Sequence, residues 1–254
     1  MSMDTYMARV IQNNSIAAEL SEIVLEMPRD VLEGATPGQC AHVKVPGGGL
    51  LLRRPISIYS VEGGVLRLAI QSKGEGTERI VAAKVGDTLD VLFPFGKGFH
   101  VDDAKEVWLV GGGVGVAPMR GCAEGFSGIA KRAYFGYRSA AHGYAAKECR
   151  QAGLDVTVCT DDGSAGEHGL VTEPLARDLL ERKPDLIMAC GPAPMLRAVQ
   201  SIAKEHGVPL QVSLEQRMGC GIGACLVCSC MASVGGYLRV CADGPVFGAE
   251  EVQL

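Results

Sequence analysis

VWLVGGGVGVAPM, running from Val107 to Met119, decides the fold. An apolar strand runs straight into glycines and then into a helix-forming segment. Gly111, Gly112, Gly113 and Gly115 carry no Cβ, so backbone there approaches a ligand closely, and a diphosphate is the natural occupant of such a strand–helix turn. The plainer alternative is tight helix–sheet packing, and the spacing is not that of the G-x-G-x-x-G fingerprint. Downstream the rhythm repeats as RAYFGY, LDVTVCT, LIMAC and LQVSL, with helical stretches between them. Strands alternating with helices imply a doubly wound parallel sheet, which binds ligands at the carboxyl ends of its strands. Cys190-Gly191-Pro192 stands at one such end, after LIMAC. Asp161-Asp162-Gly163 stands at another, to be read either as a solvated turn or as a cofactor contact.

Upstream, from Tyr6 to about Pro94, the pattern changes to short β-type runs broken by turn residues: YMARVIQ, IAAELSEIVLEM, QCAHVKV, RRPISIYS, GVLRLAIQ and DTLDVLF. This predicts an antiparallel barrel of roughly six strands, interrupted by one helix over ERIVAAK that Thr77 caps and Gly86 stops. The expected organisation is thus a barrel over 1–100, an α/β unit over 101–214 and a further lobe over 215–254. With 254 residues, 47% of them hydrophobic and 21% charged, the chain has enough apolar material for such cores. A net charge of −5 and no basic run argue against nucleic acid. The longest near-apolar stretch is too short and too rich in glycine to span a bilayer. The start, MSMDTYMARV, has no basic segment followed by an apolar one, so the expectation is a cytoplasmic protein with reduced thiols.

Ten cysteines in a reducing compartment point to metal or redox chemistry. Cys220, Cys225, Cys228, Cys230 and Cys241 crowd into the last lobe, and C-x4-C-x2-C-x12-C runs from 220 to 241. The first two gaps are those of plant-type [2Fe–2S] sites. Gly219, Gly221 and Gly223 let the loop wrap a cluster and turn its N–H groups toward sulfur. A structural zinc site also takes four cysteines but usually shows two C-x2-C pairs, and only Cys225 and Cys228 form one. Cys230 is the spare, a small buried apolar residue on the plain reading.

In the barrel region Arg53-Arg54-Pro55-Ile56-Ser57 closes a strand, and GEGT follows about twenty residues later. An arginine pairs bidentately with a diphosphate, a serine hydroxyl reaches a ring nitrogen, and Gly76-Thr77 opens a helix whose N-terminus attracts anions. Taken alone, the motif reads as an edge strand with a solvated arginine pair.

The order RRPIS, GEGT, GDTLDVLFPFG and GGGVGVAPM resembles the ferredoxin–NADP reductase superfamily, with Ile56 where that superfamily carries an aromatic. At EQRMGCGIGACLVCSC and CADGPVF the resemblance narrows to the electron-transfer subunits of two-subunit, NAD-linked dihydroorotate dehydrogenases. It implies FAD held by Arg54, Pro55, Ile56, Ser57, Ala69, Ile70, Gln71, Gly76 and Thr77. It implies NAD at Gly111, Gly112, Gly113, Gly115, Cys190, Gly191 and Pro192, and a [2Fe–2S] cluster on Cys220, Cys225, Cys228 and Cys241. It further implies an FMN-bearing catalytic subunit as partner, two copies of each in a heterotetramer, with electrons leaving dihydroorotate for NAD+ in pyrimidine biosynthesis. No catalytic acid–base residue is expected, because the chemistry belongs to the cofactors; Cys190 lies beside the nicotinamide in that superfamily. The runner-up is an NAD(P)H diaphorase subunit of another ferredoxin- or hydrogenase-type complex, and Arg138-Ser139 is where a 2′-phosphate would be held. A non-enzymatic zinc-bearing flavin sensor is the alternative from outside the enzymes.

Overall fold

The computed structural model describes residues 4–254. Its first half is a closed barrel of β1 (Asp4–Ala17), β2 (Leu20–Glu26), β3 (Cys40–Val43), β4 (Arg54–Glu62), β5 (Val65–Gln71) and β6 (Thr88–Phe95), in the order β1-β2-β5-β4-β3-β6. Alternating residues such as Ala8, Val10, Ile23, Leu25, Leu66, Leu68, Val91 and Phe93 fill its interior, as the period-two pattern requires.

Several sequence expectations need correction here. Asn13-Asn14-Ser15 does not break the first strand: these residues stay paired with β2, and the chain reverses only at Glu19, which takes φ 59°. Asn13 remains in the strand because its amide donates to the carbonyls of Val81 and Ala83, at the end of the inserted helix. That helix, α2 (Glu75–Val81), begins earlier and ends earlier than ERIVAAK suggests. Thr77 is therefore inside its first turn rather than its cap. The Thr77 hydroxyl instead accepts from the Lys73 N–H and donates to the Gly74 carbonyl. A short helix, α1 (Arg29–Leu32), sits over the barrel end and buries Val31 and Leu32. The motif RRPIS opens a strand instead of closing one, because β3 pairs with its residues from Val43↔Arg54 to Cys40↔Ser57.

The second half is a seven-stranded sheet built from β7 (Val107–Gly112), α3 (Val116–Gly125), β8 (Ala130–Tyr137), α4 (Ala146–Gln151), β9 (Asp155–Thr160), β10 (Glu167–His168), α5 (Thr172–Glu181), β11 (Leu186–Cys190), α6 (Ala193–His206) and β12 (Leu210–Ser213), completed by a strand from the C-terminal lobe. The order β10-β9-β8-β7-β11-β12 proceeds outward one way from β7 and then resumes on its other side at β11. This reversal is the topological switch point of a doubly wound sheet. One core lies under α3 and α4, the other under α5 and α6. The lobe adds a two-stranded ribbon, β13 (Ser229–Met231) with β14 (Tyr237–Arg239), and then β15 (Val246–Gly248), which pairs antiparallel with β12. No sequence pattern announced β10 or β15; both are three residues or fewer and owe their form to a neighbouring strand.

The barrel rests on α3. Gly121 sits at this contact, facing the carbonyl oxygens of Ile58 and Tyr59. Beside it the Ser60 hydroxyl donates to Glu124, which is also paired with Arg120. Among the described residues no helix is long and apolar enough to cross a membrane.

Candidate functional site

A cleft of about 200 Å³, open to solvent, lies where barrel, parallel sheet and cysteine lobe meet. The barrel side is lined by Pro55, Ile56 and Ser57 of β4, Ala69 and Gln71 of β5, and Thr77 of α2. Ile70, between Ala69 and Gln71, points the other way into the barrel core, as strand alternation dictates. Val114 and Ala117 face the cleft from the glycine turn.

The two arginines of the motif have separate fates. Arg53 is tied to Asp90, with Nη2–Oδ1 at 2.8 Å, and is structural. Arg54 turns toward α2 and lies over Gly76, where an added Cβ would stand 2.4 Å from Nε. A Cβ at this position would push the guanidinium off the helix start. The pair sets a guanidinium against bare backbone beside Pro55 and Thr77 of the cleft wall, a chemistry that would suit a phosphate.

At the switch point the second set of predicted residues meets. Gly111 pairs with Cys190 across β7 and β11. A Cβ on Gly115 would stand 2.4 Å from the Cys190 carbonyl oxygen, and one on Gly112 would meet Met195 and Pro192. Gly113 takes φ +55° with open space beside it. The turn is held from below by Tyr144, whose hydroxyl bonds the carbonyls of Gly113 and Val114 at 3.2 and 3.0 Å. Tyr144 in turn packs against Tyr137 and Tyr59. Cys190 is buried, and that burial holds its thiol well above its ordinary value, with Glu215 acting the same way and the Ser213 hydroxyl opposing. It stays a neutral thiol. Asp162 spends its carboxylate on the N–H and hydroxyl of Ser164 in a tight turn, the solvated reading of that pair.

The cysteine loop has little regular structure because its N–H groups are aimed at sulfur. Ile222 and Ala224 donate to Cys220 Sγ at 3.4 and 3.3 Å, Gly223 to Cys241 Sγ at 3.2 Å, and Cys241 to Cys228 Sγ at 3.4 Å. Gly221 and Gly223, at φ +73° and +78°, give the loop the left-handed steps that turn these amides inward. Arg239, paired with Asp243, donates to the Gly223 carbonyl and fixes the loop from behind. The four predicted thiols fall into two pairs, Cys220 with Cys225 and Cys228 with Cys241. Burial disfavours ionisation of Cys220, yet the amide donors outweigh it and bring this thiol down to about 6. Burial, and then the Cys228 neighbour, push Cys241 up to about 12. Thiols packed this closely do not all ionise without a cation among them. Two thiolates on each of two irons is what a [2Fe–2S] centre needs, so the arrangement fits that group. Among the described residues no three such ligands converge on a single ion. Cys230 lies in the lobe's core, 7% exposed, as a small apolar residue.

Sequence reasoning missed part of the cleft. Cys40 and Lys73 line it, as do Ser213, Leu214, Glu215, Gln216 and Met218, which lead from β12 to the cysteines. Glu215 opens to solvent on one side, but burial on the others raises its carboxyl, with Lys73 opposing. For Ser213 to Met218 a signal was available, since they stand at and after the carboxyl end of the last parallel strand, the kind of position at which Cys190 lies; Cys40 and Lys73, on the barrel, had none. Outside the cleft Leu226, Val227 and Met231 are exposed beside the cysteine loop.

Two family models match the chain: the oxidoreductase NAD-binding domain over 109–201, and the iron–sulfur cluster binding domain of dihydroorotate dehydrogenase B over 215–253. Among curated relatives, the dihydroorotate dehydrogenase B (NAD+) electron transfer subunit of Caldanaerobacter subterraneus is 38% identical, with 96% of this chain and 97% of that protein covered. The corresponding subunits of Bacillus velezensis and Listeria monocytogenes are 40% and 39% identical, over 96–97% of this chain and 97–98% of theirs. Among solved structures, a chain of an NADH-dependent reduced ferredoxin–NADP oxidoreductase superposes with a TM-score of 0.87 at 30% identity, covering 98% of this chain and 91% of that one.

Proposed function

The chain belongs to the family of dihydroorotate dehydrogenase B (NAD+) electron transfer subunits, and from that membership we propose how its residues perform the transfer. It is the electron-transfer subunit of an NAD-linked oxidoreductase that carries FAD and a [2Fe–2S] cluster, and it works with a catalytic subunit. When bound, FAD supplies the exchange between hydride equivalents at nicotinamide and single electrons at the cluster. The observation that carries the assignment is a cleft lined jointly by β4–β5, the glycine turn and the segment entering the cysteine loop.

Arg54 and the Gly76-Thr77 helix start take the diphosphate of FAD, while Pro55, Ile56, Ser57, Ala69 and Gln71 form the wall along its length. The turn Gly111–Gly115 and the segment Cys190-Gly191-Pro192 take NAD, with Gly113 offering bare, exposed backbone and Gly112 and Gly115 letting the turn pack closely on Cys190, Pro192 and Met195. Cys190, as a neutral thiol, packs at this site and takes no proton. Cys220 and Cys225 hold one iron, Cys228 and Cys241 the other, with the amides of residues 222–224 stabilising the sulfurs. The units are 1–100 for FAD, 101–214 for NAD and 215–254 for the cluster. The partner carries FMN and oxidises dihydroorotate, and the assembly holds two copies of each subunit.

In stopped-flow, NADH reduces the flavin and cluster absorbance of the isolated chain. Dihydroorotate reduces neither until the catalytic subunit is added. Reduction of the isolated chain by dihydroorotate overturns the division of labour, and failure of NADH removes the nicotinamide from the glycine turn.

A further inference from the structure

His42, in β3, belongs neither to the cleft lining nor to the cysteine set. It is 0% exposed, and neither ring nitrogen has a hydrogen-bond partner among the described residues. A buried polar group left unpaired is costly, so native structures rarely keep one without a reason. Its ring packs against Phe95, centroids 5.5 Å apart. On the other side it meets the cysteine loop: a Cβ on Gly221 would stand 2.4 Å from His42 Nδ1. Gly221 directly follows Cys220, so the loop backbone is laid on the imidazole edge. Across β3 and β4, His42 is paired with Pro55, which lines the cleft. The ring thus stands between the flavin wall and the cluster loop. Burial first, and then the nearby Arg53, lower its pKa to about 4. The imidazole is neutral, with one N–H and one lone pair to satisfy.

We propose that His42 is a positioning residue of the iron–sulfur centre, donating its imidazole N–H to a sulfur of the cluster held behind Gly221. The inference rests on the assignment of that cluster to the four cysteines. Reduction would turn one ferric iron ferrous and make the cluster more negative, so a donor to its sulfur would favour the reduced state and raise the midpoint potential.

Pulsed EPR on the reduced full-length protein tests this directly, with nitrogen-14 histidine placed in a nitrogen-15 background. The expected result is a weak, non-ligand nitrogen coupling that disappears in His42→Leu. In EPR-monitored redox titration His42→Leu has a lower midpoint potential, and His42→Gln, which keeps a donor, recovers part of the difference. A full cluster signal without histidine coupling in the wild-type protein overturns the role of His42, even if His42→Leu fails to fold. So does an unchanged potential in both variants at full iron content. Absence of any [2Fe–2S] signal from the wild-type protein would instead refute the cluster assignment itself.

Discussion

Residues of one type, close in sequence, have opposite roles in this chain, and their surroundings decide which. Cys228 and Cys230 lie two positions apart and both are buried, yet Cys228 Sγ accepts from the Cys241 N–H while Cys230 stands in β13, paired with Leu238 of β14. Cys225→Ser therefore removes iron and acid-labile sulfide, whereas Cys230→Ser leaves both at wild-type content; equal losses in a direct assay would contradict the ligand set. Arg53 and Arg54 diverge in the same way, one held by Asp90 and one by the space above Gly76. Arg54→Ala strips charge-assisted hydrogen bonds from the diphosphate. FAD retention should weaken by about 2 kcal/mol, or ~30-fold, as read from the flavin left after dialysis. The cysteine spacing and the arginine pair were both visible in the sequence. The resemblance singled out Arg54; that Arg53 is taken up by an ion pair was not legible, because its partner Asp90 arrives from β6.

Elements are placed by their close approaches, and glycines mark where these occur. The glycine turn and β11 touch so tightly that a Cβ on Gly115 would meet the carbonyl oxygen of Cys190 at 2.4 Å and the N–H nitrogen of Gly191 at 2.7 Å. Both obstacles are backbone, so neither can rotate aside. Gly115→Ala should part the turn from Cys190-Gly191-Pro192 and lower NADH affinity by roughly tenfold, about 1.4 kcal/mol. FAD content should be unchanged, since Arg54 and α2 belong to the barrel. Calorimetric titration with NADH checks the first and the flavin spectrum the second; a loss of both would mean that the two sites are not separable. That glycines belong at this turn was legible from the run Gly111–Gly115. Their contact with the segment after LIMAC was not, because it requires β7 and β11 to be neighbours.

At the scale of the whole molecule the cysteine lobe is tied to the sheet by β15, but its loop has few backbone bonds of its own and spends its amides on sulfur. Iron removal should therefore loosen this loop alone. A nonspecific protease should cut within 219–228 at least about tenfold faster in chelator-treated protein, while the strands β7 to β12 survive, as mass spectrometry of the fragments would show. Cleavage spread evenly over the chain would mean that the cluster supports the entire fold. The sequence by itself determined the alternation that makes a barrel and a parallel sheet, the four spaced thiols and the glycine-rich strand–helix turn. These follow from local periodicity and from the chemistry of neighbouring residues. Only the tertiary structure decided that Ile70 turns inward while Ala69 and Gln71 face the cleft, that residues 213–218 complete its wall, that β15 joins the sheet, and that His42 lies under Gly221. Each of these depends on segments far apart in the chain coming into register, and that pairing is set by how both cores pack, which no local pattern records.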